Sequence, residues 1–529
     1  SVNTALFRPA IFLLENVIGI EKAAASPYLD VLPDSFQKLV YLNKNKTYSY
    51  TAFGDRLKKL YKSQTPSSPL ITQVGGNKLL NKLDGYKDTF LTLIKLGETV
   101  WLGDKAPEMA EHARYHHSNL FAYAELLLLP IFSKNENFLS KEELFLLLGI
   151  VYLHDCGHSS SSIVLEKKGI KERIPLLPTE IRNFHNLLGY QRLKNKEFQN
   201  TITDQAPALK EEFFTIVAGL SAYHRKKMPL LNGTYCGLSE LKFEALKTKS
   251  MAFEGQSIKG YLLVSLFRII DGMDKQVTRN GDAIEVSMKA EAILADMDNL
   301  WNRVCLLEKA LTKLNNNART KADEIFEKII KEYGKKEQPA GTVQDKCSKK
   351  CNGWTDECNN HQHLSKDGNE SASYLELRNL ITEELFAFVW EYLHARPRFF
   401  FHAIQPSYYY SDLLLDMPKV TYTVNNSDIK ITINYPKSQN EDASNKVKGI
   451  WAKIQAWFKG NLNGKPEEKA ISAYQLTTPE QVVEGIRDEY CSMKKDDKKY
   501  NTAVAQILKE NKIVVEFQFN GEPVSCCQC

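Results

Sequence analysis

A chain of 529 residues, 43% hydrophobic and 25% charged, has the ordinary balance of a globular protein and enough apolar material for about two to four cores. Its net charge of +5 does not by itself indicate nucleic acid, since a phosphate-bearing ligand needs only local positive charge. No apolar run reaches the roughly 18 residues of a membrane span, so no membrane contact is expected. The ten cysteines form no secreted framework and fit a reducing, cytoplasmic setting.

Residues 1–104 mix short apolar runs with turns such as Thr65-Pro66-Ser67-Ser68-Pro69, and read as an N-terminal extension packed on a helical core. Within it, the run from Leu6 to Glu15 is broken by Arg8 and Pro9. It reads as a core strand or short helix, neither signal peptide nor anchor.

Residues 105–333 read as a mainly α bundle in which successive helices each deliver an imidazole or a carboxylate. His117 precedes the apolar positions Leu120, Ala124, Leu127 and Leu128; His116 competes with it, and the apolar phase favours His117. The buried run Leu144–Val151 leads into Tyr152-Leu153-His154-Asp155-Cys156-Gly157-His158. His185 lies inside an amphipathic helix, His224 ends the run that begins at Ile216, and Asp271 closes the apolar helix from Tyr261, with Asp274 one turn on. An unpaired buried carboxylate costs several kcal/mol, so Asp155 needs a cation, a hydrogen-bond partner or solvent. A divalent ion with His154 as second ligand would meet that need. Imidazole plus carboxylate suits Mn, Fe, Ni, Co or Zn, with Mg possible where oxygen ligands dominate.

This ordered set resembles the HD superfamily of metal-dependent phosphohydrolases, whose signature H…HD…D maps onto His117, His154 with Asp155, and Asp271. The resemblance spans roughly residues 105–290. It implies a helical HD-type bundle with one or two divalent ions, and His185 and His224 stand where two-metal members carry further ligands. The chain departs from the HD-GYP phosphodiesterases at Gly157-His158, where that branch has Lys, and at His224-Arg225, where two histidines are usual. The His-Asp-x-Gly-His form is similar to deoxynucleoside triphosphate triphosphohydrolases and to HD domains of bacterial defence systems. The former continue to another His where this chain has Ser159-Ser160-Ser161-Ser162.

A divalent ion brings the pKa of a bound water towards neutrality and neutralises charge on a phosphate oxygen. Asp155 and His158 are the catalytic candidates, His158 as general acid towards the leaving oxygen. Lys275, Arg225 and Arg268 are candidates for phosphate contacts. A nucleotide or another phosphate-bearing substrate is expected. A single-strand nuclease and a non-catalytic nucleotide sensor are the alternatives.

Ala290–Tyr333 reads as a long charged helical stretch, and residues 334–372 as a polar linker. In the linker, Cys347, Cys351, Cys358, His361 and His363 have the spacing C-x3-C-x6-C-x2-H-x-H. Cys347, Cys351, Cys358 and His361 can hold a structural Zn, or the stretch is simply flexible. The role of the terminal Cys526-Cys527-Gln528-Cys529 stays open. Residues 373–529 read as a C-terminal α+β accessory domain for sensing, substrate choice or oligomerisation: a helix over Tyr374–Ala395, a hairpin pairing 420–424 with 429–433, helices near 446–458 and 479–493, and a strand at 513–519. The clusters Phe399-Phe400-Phe401 and Tyr408-Tyr409-Tyr410 read as core or as base-stacking aromatics.

Overall fold

The computed structural model describes residues 77–100, 114–160, 162–167, 170–204, 206–224, 227–229, 235–237, 251–280, 282–334, 377, 383–425, 428–491 and 503–524. The run at Leu6–Glu15, Arg225, the Cys347–His363 stretch and the terminal cysteines lie outside these residues.

The protein is mainly α, with small sheets and an α+β region at the C-terminal end. The first helices are α1 (Asn77–Leu80), α2 (Lys87–Val100), α3 (Arg114–Lys134) and α4 (Lys141–Leu153). Then come the hairpin β1 (Ser162–Lys167) and β2 (Ile170–Pro175), the helices α5 (Pro178–Lys194), α6 (Lys196–Thr203) and α7 (Glu211–Ser221), and the short pairs β3 (Lys227–Pro229) with β4 (Tyr235–Gly237) and β5 (Met251–Phe253) with β6 (Gln256–Ile258). Next are α8 (Gly260–Gly272), α9 (Ala283–Leu314), α10 (Asn316–Gly334) and α11 (Glu383–Leu413). The chain finishes with β7 (Lys419–Asn425), β8 (Asp428–Tyr435), α12 (Glu441–Asn461), α13 (Pro466–Ala473), α14 (Pro479–Cys491), α15 (Ala503–Glu510), β9 (Ile513–Phe519) and β10 (Glu522–Pro523).

Two apolar cores organise these elements. One joins α2, α3, α4, α7 and α8 to α14, α15 and the inner face of the C-terminal sheet. The other joins the first turns of α5 to α9, α10, α11, α12 and α13. The C-terminal α+β region therefore contributes side chains to both cores. Its sheet runs β10-β9-β8-β7, with β8 antiparallel to β7 and parallel to β9. The alternation of Ile429, Ile431 and Ile433 buries one face of β8, as the period of two requires.

Two helices differ from the pattern expected of them. The stretch 290–333 is broken at Asn315, whose extended backbone (φ −162°, ψ 97°) ends α9, and whose side-chain oxygen accepts from Ala318 N to start α10. Conversely, α11 runs through Pro397 and Pro406 to Leu413 instead of stopping at Ala395. Packing overrides the lost backbone bonds there: Phe399, Phe400 and Phe401 are all buried, with Phe399 stacked on Phe458 and tilted against Trp301. These three aromatics, and Tyr409, are core residues. No helix among the described residues is long and apolar enough to cross a membrane.

Candidate metal centre

The centre forms where helix ends from both cores meet. Ser140 starts α4 with a reciprocal capping box: its hydroxyl accepts from Glu143 N at 3.1 Å, and the Glu143 carboxylate accepts from Ser140 N at 3.0 Å. Every residue from Glu143 to Leu153 is buried. His154 caps this helix, and Asp155 leads into a single 3₁₀ turn, Cys156–Ser159, that puts Asp155 and His158 on one side. Gly157 lets the turn approach α5 closely, because a Cβ there would lie 1.8 Å from the His185 carbonyl oxygen.

Asp155 is the hub. Its Oδ2 lies 3.1 Å from His154 Nε2 and 3.7 Å from His116 Nε2. Its Oδ1 lies 3.4 Å from His185 Nε2, 3.7 Å from His224 Nε2 and 3.9 Å from His158 Nε2. Asp271 completes one side, 3.3 Å from His116 Nε2 and 3.7 Å from His154 Nε2. Its side chain is 23% exposed, the most open of these groups. Two sets of three result, His116 with His154 and Asp271, and Asp155 with His158 and His185, the donor atoms of each lying within 4.8 Å of one another.

The residues fit a cation. Nδ1 of His154, His185 and His224 each faces the carbonyl oxygen three residues earlier, those of Val151, Arg182 and Ser221. A donating Nδ1–H leaves the lone pair on Nε2, so three such nitrogens point inwards. His185 Nε2 and His224 Nε2 then stand 2.7 Å apart, lone pair to lone pair, and His154 Nε2 is buried without a hydrogen bond. A positive charge between them resolves both conflicts. Burial pushes His158 down to about 3 and His224 to about 4, so both rings are neutral near pH 7, the state that binds metal. Burial also opposes charge on His116, but hydrogen bonds to Asp271 and Asp274 prevail and raise it to about 10. For Asp271 burial is likewise overridden: the hydrogen bond from His116 and its electrostatic interaction with the surrounding imidazoles hold the carboxyl far below the usual carboxylate range.

The structure brings His154, Asp155, His158, His185, His224 and Asp271 together. His116 occupies the position expected for His117, whose ring packs instead against Tyr152 and His154. The apolar phase could not separate the two, because α3 is buried on both faces: Leu120, Phe121, Tyr123 and Ala124 are all core. Among the phosphate candidates, Lys275 is half-buried just past α8, whereas Arg268 lies against Ile486, Tyr490, Val504 and Phe517 of the C-terminal elements. Arg182 on α5, which sequence reading passed over, acts electrostatically on His158.

Residues 106–303 match the HD-CE family, a span that holds every residue of the centre. They form an HD-type domain. No curated protein and no solved structure matches the chain. The HD-type domain thus carries buried His/Asp groups arranged to hold a divalent metal.

Proposed function

We propose that this HD-type domain is a two-ion phosphohydrolase that cleaves a phosphoester or phosphoanhydride bond in a nucleotide. The observation that carries the reading is the shared carboxylate. Asp155 turns one oxygen towards His116 and His154 and the other towards His158, His185 and His224. His116, His154, Asp155 and Asp271 would hold one ion, and Asp155, His158, His185 and His224 the other. Bound divalent ions supply the Lewis acidity and the acidified water that phosphate hydrolysis near neutral pH needs. The imidazole and carboxylate donors suit Mn, Fe, Co, Ni or Zn. Asp271, the most open of the groups, lies on the side from which substrate enters. Arg182, which acts on His158, and Lys275, in the turn after α8, are the positive groups assigned to phosphate oxygens. His158 is better suited to holding an ion than to donating a proton, because burial keeps its ring neutral and its face is stacked on His185 at 4.3 Å between centroids.

The test is to incubate the protein with Mn2+ and a panel of NTPs, dNTPs, cyclic dinucleotides and single-stranded DNA and RNA, beside Asp155→Ala. Loss of a shared ligand should lower turnover by more than the roughly 10–100-fold typical of losing an outer partner. Release of phosphate or triphosphate that Asp155→Ala abolishes is the expected result. Cleavage of polynucleotides alone would replace the substrate class with single-stranded nucleic acid. Bound metal without any turnover would leave a sensor in its place.

A further inference from the structure

His116 is anchored differently from three of its neighbours. The Nδ1 atoms of His154, His185 and His224 each face the backbone carbonyl three residues earlier. His116 Nδ1 instead meets the Asp274 carboxylate at 2.6 Å. That carboxylate arrives from the turn after α8, 158 residues further along the chain, and has no solvent exposure. Its Oδ1 accepts from Asn119 Nδ2 at 2.9 Å and from Gln276 Nε2 at 3.2 Å. Arg279 donates to the Asp274 backbone oxygen at 2.6 Å. Asn119 lies one turn beyond His116 on α3, so Asp274 grips two residues on the same helix. A fully buried carboxylate is costly unless its lone pairs are met, and here both oxygens are used.

Resting on the two-ion reading above, we propose that Asp274 is a positioning residue that fixes His116 with Nε2 towards Asp271 and Asp155 and so strengthens the ion position on the His116 side. An anionic acceptor fixes the ring's orientation and raises its strength as a ligand more than a neutral carbonyl does.

The test is a double-mutant cycle read by calorimetric titration with Mn2+, using wild type, His116→Gln, Asp274→Asn and the double variant, each with its metal-free unfolding midpoint measured. Wild type should bind two ions. Asp274→Asn should weaken binding of one of them about 10–100-fold and leave the other unchanged. If Asp274 acts through His116, the double variant loses no more affinity than His116→Gln alone. Additive losses, or unchanged affinity in a folded Asp274→Asn, would overturn the proposal while leaving the metal reading intact. Wild type that binds no Mn2+ would sink both. A measurement on the wild type decides the matter even if Asp274→Asn does not fold. In 15N-histidine-labelled protein loaded with Zn2+, His116, assigned by its loss in His116→Gln, should carry its ring proton on Nδ1. A proton on Nε2 would overturn the proposal.

Discussion

Around Arg396, on α11, the guanidinium spends its donors on its own chain: Nε and Nη2 reach the Glu467 carboxylate at 2.7 and 3.2 Å, and Nη1 reaches Asp323 at 2.6 Å. Tyr392 donates to the same Asp323, and the guanidinium face lies 4.1 Å from the Phe326 ring centre. Around Asp155 the composition is reversed. Five imidazole nitrogens face one carboxylate, and two of them face each other at 2.7 Å. Both clusters are buried and both are polar. The first is complete as it stands, and the second has the donor set that a divalent cation would complete. A buried polar cluster thus declares its role through the balance of donors and acceptors, and burial alone does not distinguish the two.

The comparison breaks most sharply at Glu467. Removing one partner of a buried ion pair leaves the other charge uncompensated, so Glu467→Ala should destabilise the protein by about 3–5 kcal/mol. Metal stoichiometry should not change. In contrast, Mn2+ at 100 times its dissociation constant should stabilise wild type and Glu467→Ala alike, by about 2.7 kcal/mol. Denaturant unfolding with and without Mn2+ checks both. A metal increment that disappears in Glu467→Ala would mean that the two clusters are one coupled unit.

Legibility in the sequence divides along the same line. His154, Asp155, His158, His185, His224 and Asp271 stand at the ends or on the faces of helices whose apolar runs are plain, so their convergence could be read from order and spacing. The hairpin at β7 and β8 was equally plain from alternation across Asn426 and Ser427. His116 was not separable from His117, because a helix buried all round has no single apolar phase. The Arg396–Glu467 pair was invisible: 71 residues separate its partners, and nothing local marks a charge that will be buried. The run of α11 through two prolines was hidden for a related reason, since neighbouring helices hold a segment that local propensity would end.

Gly157 sharpens the comparison from the other side. A Cβ at this position would lie 1.8 Å from the His185 carbonyl oxygen and 2.6 Å from Gly189 N, both backbone atoms that cannot rotate away. Gly157→Ala must push the 3₁₀ turn off α5, at about 1–3 kcal/mol. His158 and His185 ride on the two surfaces that separate, so Gly157→Ala should bind one equivalent of Mn2+ where wild type binds two. Two equivalents at unchanged affinity would show that the turn's approach to α5 does not set the second position.

The smallest effect is a slope. An unfolded imidazole titrates near 6.5, while burial holds His224 at about 4 and His158 at about 3 in the folded chain. The folded pKa is the lower one, so the unfolded chain binds more protons in that window and stability rises with pH. The contribution is fully present above about 6.5, is lost progressively as pH falls below it, and is gone once pH has passed about 4 for His224 and about 3 for His158. His394 and His402 on α11, held by burial at about 3 and about 4, add a similar slope from outside the centre. The readout is therefore a difference between variants. With chelator present, unfolding of wild type between pH 6.5 and 5 should show a steeper dependence than that of His224→Gln, by up to about 1.4 kcal/mol per pH unit. Glu467→Ala should keep the wild-type slope, because it leaves His158 and His224 in place. Equal slopes in wild type and His224→Gln would mean that the ring is not held neutral in the centre, and the lone-pair conflict with His185 would lose its force as an argument for a cation.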